Sequence, residues 1–187
     1  MYRKSREKSR NFIRLSVRYT IGQIDDICAN VDDISNEKQV RDYLIKILNK
    51  QAYDRSGLIY GMGHAVYTTS DPRAVLLKEK ARVLSEERNM QEMFNLYDTI
   101  ERIAPKIFAE VKGDTKAICA NVDFYSGFIY RMLNIPEDMF TPLFAIARTV
   151  GWCAHRMEEV ISGGRIIRPA YKSICKKTKK YIPIDNR

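Results

Sequence analysis

His64 closes the string Gly61-Met62-Gly63-His64, ahead of an amphipathic segment. Glycines let backbone approach a ligand closely, and an imidazole there can give or take a proton near neutral pH. The plainer role for such a histidine is a hydrogen bond to its own loop. Asp123 lies between apolar Val122 and Phe124. Partial burial of a carboxyl favours its neutral form and makes it a stronger base once ionised. Its plainer role is to cap a following helix. Arg73, Arg148 and Arg168 stand on separate segments. Guanidinium binds carboxylate through two parallel hydrogen bonds, so three of them suit a substrate with several carboxylates. Their plainer role is a surface ion pair.

The elements that must hold these groups read as helices. Val40, Tyr43, Leu44, Ile47 and Leu48 recur at helical spacing over 36–50, with Ser35 or Asn36 able to cap the start. A polar loop from Lys50 to Ser70 follows. Asp71-Pro72 then opens a helix carrying Ala74, Leu77, Ala81 and Leu84. Asn89 is expected to cap the next, with Met93, Leu96, Ile100, Ile103 and Ile107 on its face and Pro105 as a kink or an end. Residues 117–125 show no helical period, and a helix is expected from Ser126 to Leu133. A last one runs from about Pro142 to Ile161, broken by Gly163-Gly164. On that helix Phe144 and Arg148 are four residues apart and can face one pocket. His155, further along, is read as structural. The class is all-α.

The net charge is +9, concentrated at the two ends: seven Lys and Arg within residues 1–18, and a Lys-rich stretch after Tyr171. Charge of this kind attracts nucleic acid or acidic surfaces, but no recognition motif accompanies it, and a solvated end is the simpler reading. No run approaches the ~20 apolar residues of a membrane span. Cys28, Cys119, Cys153 and Cys175 form no Cys-x-x-Cys pair, so no metal site is expected, and reduced thiols fit a cytoplasmic protein.

Three strings together are specific. They are Gly61-Met62-Gly63-His64-Ala65-Val66-Tyr67 with Asp71-Pro72-Arg73-Ala74, then Asn121 to Gly127, then Phe140 to Arg148 with Gly151-Trp152 and Arg165 to Pro169. In order and spacing they resemble the signatures of citrate synthases, over roughly residues 25–187. The resemblance implies an acyltransferase that condenses acetyl-CoA with oxaloacetate, with acetyl-CoA as co-substrate and no permanent cofactor or metal. It implies that His64 holds and protonates the oxaloacetate carbonyl oxygen and that Asp123 removes a methyl proton from acetyl-CoA. Arg73 and Arg148 would bind substrate carboxylates, and Phe144 would pack beside the substrate. Arg168 would reach into the other subunit of a homodimer. Gly61, Met62 and Gly63 would receive the adenine of coenzyme A, with Lys116 as a basic contact. Thr68 stands where a basic residue is often found.

The resemblance also implies the citrate synthase fold, incomplete. Residues 1–21 form a basic, unmatched segment, 22–125 the small helical domain, and 126–187 the C-terminal helices of the large domain, with apolar surface exposed. The family places a further catalytic histidine in a Leu-His-Gly-Gly string. Here only His64 and His155 occur, and neither stands in such a string. The expectation is therefore a chain cut short by a truncated or shifted reading frame, inactive or poorly active alone. The alternatives are a 2-methylcitrate synthase, or a non-catalytic remnant that binds a partner subunit.

Overall fold

The computed structural model describes residues 2–113 and 117–163, and side chains from Ser16 onward. Six helices follow in order: α1 (Tyr2–Asn30), α2 (Glu37–Leu48), α3 (Pro72–Glu87), α4 (Gln91–Lys112), α5 (Val122–Met132) and α6 (Phe140–Ser162), the last preceded by a 3-10 turn, Glu137–Met139. Among the described residues there is no strand, so the all-α expectation holds. The chain divides into two compact units, Met1–Ile146 and Ala147–Arg187.

In the first unit α3 packs on α5 and α4, α2 on α4, and α1 on α5. The core gathers the apolar faces of these helices. On α2 the buried set is Val40, Tyr43, Leu44, Ile47 and Leu48, the face its spacing predicts. Asn36 caps it, accepting from Lys38 and Gln39 N–H. On α4, Leu96, Ile100, Ile103 and Ile107 are buried as expected, joined by Phe94, Tyr97 and Ala104. The Tyr97 ring stacks on Phe128 of α5 at 4.7 Å, which binds α4 to α5 through two large apolar surfaces.

Two local expectations need correction, and of the two outcomes expected at Pro105 the helix end does not occur. Asn89 does not cap α4; it adopts φ 54 and ends α3, and Met90 is the N-cap with no side-chain bond. Pro105 does not end α4, which continues to Lys112. Ile103, Ala104 and Ile107 on either side of it are buried, and that packing outweighs one lost backbone hydrogen bond. The helix expected from Ser126 begins at Val122 instead. Its period was hidden because Phe124, Tyr125, Ser126, Gly127 and Phe128 are all buried, leaving no polar stripe to mark a face.

In the second unit, Val150, Trp152, Met157, Val160 and Ile161 of α6 are exposed, as is His155. Among the described residues no helix is long and apolar enough to cross a membrane, and no cluster of three His, Cys, Asp or Glu could hold a metal ion. Cys28, Cys119 and Cys153 form no disulfide; Cys175 lies outside the described residues.

Candidate active site

Asn121 joins the two segments that carry the chemistry. Its extended backbone makes it the N-cap of α5, and its side-chain oxygen accepts from Asp123 N–H at 2.9 Å. The same side chain donates its amide to the Gly63 carbonyl, also at 2.9 Å. One amide group thus uses its acceptor to start a helix and its donor to hold a loop. Backbone bonds complete the junction. Gly63 N–H donates to Cys119 O at 2.7 Å, Asn121 N–H donates to Gly61 O at 2.8 Å, and Met62 bridges Ala120. Gly61 has φ 79, and a Cβ there would lie 2.7 Å from Phe124 Cδ2 and 2.9 Å from Phe124 Cα. Only glycine allows the loop to sit this close to α5.

The loop then delivers His64. Its Nδ1 accepts from Val66 N–H at 3.0 Å and Tyr67 N–H at 3.1 Å. The plain role expected of a loop histidine is thus filled by Nδ1. In the neutral ring this places the proton on Nε2. Nε2 lies 3.4 Å from Nη2 of Arg73. Both atoms then carry hydrogen, so the pair is two donors aimed at shared space rather than a hydrogen bond. The Tyr67 ring lies 4.9 Å from that of His64 and 5.5 Å from the Arg73 guanidinium carbon, which it stacks against.

Arg73 is held by Asp71. Nε donates to Oδ1 at 3.0 Å and Nη2 to Oδ2 at 2.7 Å, while Oδ1 also accepts from Arg73 N–H at 3.0 Å as the cap of α3. The Asp71 side chain is fully buried and the Arg73 side chain is 43% exposed. The hydrogen bond from Arg73 holds the Asp71 carboxyl below the usual carboxylate range. Arg73 is therefore pre-oriented with its exposed part beside His64.

Asp123 occupies the first turn of α5. Burial pushes its carboxyl above the usual range, against the lowering effects of the Ser16 side chain and the Arg73 charge. The opposing Arg73 and Ser16 interactions keep an ionised form accessible in an apolar setting, the condition for a general base. His64, Gly63, Arg73, Asp123 and Phe144 line one cavity of about 600 Å³, with Ser16, Arg18, Asn121, Phe140 and Thr141. That volume is within the range of small-molecule sites.

Five of the expected site residues therefore meet in one cavity. Gly61 and Met62 precede Gly63 in the same loop and do not line the cavity. Arg148 is on α6 in the second unit. Lys116 and Arg168 lie outside the described residues. Sequence reading missed Ser16, Tyr67 as an aromatic platform, and Asp71 as the clamp on Arg73. The Asp71-x-Arg73 spacing across a helix start was the available signal for the last; Ser16 had none.

Comparisons with known proteins show the family. The family described as citrate synthase, C-terminal domain, matches residues 21–170. A citrate synthase of Synechocystis sp. is 37% identical over 167 residues, covering 89% of this chain and 39% of that protein. A 2-methylcitrate synthase of Shewanella oneidensis is 32% identical over 157 residues, covering 84% of this chain and 38% of that protein. The crystal structure of citrate synthase from Thermotoga maritima superposes with a TM-score of 0.56 at 35% identity, over 89% of this chain and 42% of that one. The Thermoplasma acidophilum citrate synthase, in ternary complex with carboxymethyl coenzyme A and oxaloacetate, gives a TM-score of 0.60 at 28% identity, over 94% of this chain and 42% of that one. The chain spans about two-fifths of the length of these relatives. The chain belongs to the citrate synthase family.

Proposed function

We propose that this chain carries the proton-transfer and carboxylate-binding part of a citrate synthase site, which condenses acetyl-CoA with oxaloacetate. The supporting observation is the convergence of His64 Nε2 and Arg73 Nη2, 3.4 Å apart, in a cavity that also holds the half-buried Asp123. An oxygen between two donors accepts from both, which suits the carbonyl and neighbouring carboxylate of a keto acid. Asp123 removes a proton from the acetyl methyl. The resulting carbanion attacks the oxaloacetate ketone, and His64 Nε2–H protonates the new alkoxide. Hydrolysis of the citryl thioester then releases citrate and coenzyme A. Arg73 and Arg148 hold carboxylates, with Arg168 of the partner subunit in a homodimer. Gly61, Met62, Gly63 and Lys116 contact coenzyme A. The reaction needs no permanent cofactor or metal, and its setting is the cytoplasm.

Neither histidine of the 187 residues stands in the string that stabilises the enolate, so the chain on its own turns over slowly. One oxyanion donor is worth about 10²–10³ in rate. The test is citrate formation by the purified chain against a complete relative; a turnover near 10 s⁻¹, typical of whole enzymes, contradicts it. The similarity to a 2-methylcitrate synthase supports a second reading with propionyl-CoA, separated by kinetics with both acyl-CoAs. The exposed apolar residues of α6 support a third, a non-catalytic chain docked on a partner subunit, read by co-purification.

A further inference from the structure

Asp123 and Gly127 are one turn apart on α5, so both face the helix packed there, which is α1. A Cβ on Gly127 would lie 2.7 Å from Ile21 Cδ1 and 2.9 Å from Val17 Cγ1. Glycine at that point lets the two helices approach closely, with Val17 and Ile21 seated over it. Ser16, the neighbour of Val17, is thereby carried to the other end of the same turn, where it lines the same cavity as Asp123 and acts to lower the titration of the Asp123 carboxyl. Arg18 also fixes α1. It pairs with the Asp138 carboxylate and donates through Nε to the Glu137 carbonyl at 3.4 Å, tying α1 to the turn before α6. Thr20, one turn along α1, is buried and donates to the Ser16 carbonyl at 2.8 Å.

We propose that Ser16 is the positioning residue of Asp123: its hydroxyl donates to the carboxylate and holds one oxygen, leaving the other to face the cavity. Ser16 precedes the stretch that matches the family, which begins at residue 21. The catalytic meaning of this bond rests on Asp123 being the base, but the bond itself does not. A hydroxyl donor favours the ionised carboxylate. The other groups acting on Asp123 are Arg73 and Asp71 at the start of α3, His64 in the loop, and Tyr130 on α5 itself.

The test is the titration of the Asp123 carboxyl carbon, followed by NMR on the full 187-residue chain with ¹³C-labelled aspartate and assigned by its loss in Asp123→Asn. Ser16→Ala removes the hydroxyl without weakening α1, since alanine is the better helix former. The midpoint of Asp123 then moves up, and Ser16→Thr, which keeps the hydroxyl, leaves it near the parent value. An unmoved midpoint in Ser16→Ala overturns the proposal. So does a fall towards the ordinary carboxylate value, which would report a solvated Asp123 and a merely structural Ser16. A separate measurement, exchange of the acetyl methyl proton, tests Asp123 as the base, so the two ideas fail independently.

Discussion

Arg73 presents Nη2 to both Asp71 and His64: 2.7 Å from the buried carboxylate Oδ2 on one side and 3.4 Å from the imidazole Nε2 on the other. The buried anion fixes where the cation points, and the cation points at the histidine. Substrate recognition in this account depends on a residue, Asp71, that touches no substrate.

Arg73→Ala should weaken oxaloacetate binding to the chain by about ten- to a hundred-fold, the worth of a charge-assisted contact of ~1.5–3 kcal/mol. Asp71→Asn keeps a good helix cap and loses the anionic clamp, so it should weaken binding and lower the urea midpoint by the ionic contribution alone. Asp71→Ala loses both, and should cost a further ~1 kcal/mol of stability. Titration calorimetry and urea unfolding separate the three. Parent-like binding by Arg73→Ala removes the cavity from substrate recognition.

Gly61→Ala and Gly63→Ala should differ. Both positions have positive φ, 79 and 91, and alanine there carries a backbone cost of roughly 1–2 kcal/mol. At Gly63 the added methyl meets nothing within 4 Å, whereas at Gly61 it strikes Phe124. Gly61→Ala should therefore be the more destabilising in urea and should also pull the His64 loop from α5, weakening oxaloacetate binding. Equal costs would mean that the loop does not rest on Phe124.

Asp123 and Asp71 should give opposite pH signatures. The Asp123 carboxyl titrates above its unfolded value, so the stability tied to its neutral form is present below about pH 3.9 and lost as pH rises through the folded value. Asp123→Asn should thus gain stability relative to the parent as pH rises from 4 to 7. Asp71 titrates below its unfolded value, so its contribution is present above about pH 3.9 and lost as pH falls through the folded one. Thermal unfolding across this range reads both slopes; parallel profiles for Asp123→Asn and the parent contradict the burial of Asp123.

Much of this was legible in the residues. The α2 face was readable because one side of that helix is solvated, so its buried set keeps a period. The start of α5 was not, because its first two turns are buried nearly all round and only the Asn121 cap marked it. His64, Arg73, Asp123 and Phe144 were found from local strings, and they do share a cavity. Ser16 was out of reach: its approach to Asp123 depends on Gly127 admitting Val17 and Ile21, a tertiary contact between positions more than a hundred residues apart.

The most direct test of the central claim joins residues 21–187 to the remaining upstream part of the Synechocystis citrate synthase and follows both citrate formation and deuterium exchange at the acetyl methyl. The account predicts that the chimaera forms citrate, and that Asp123→Asn abolishes citrate formation and exchange together while oxaloacetate still binds. Exchange at the parent rate in Asp123→Asn would contradict it.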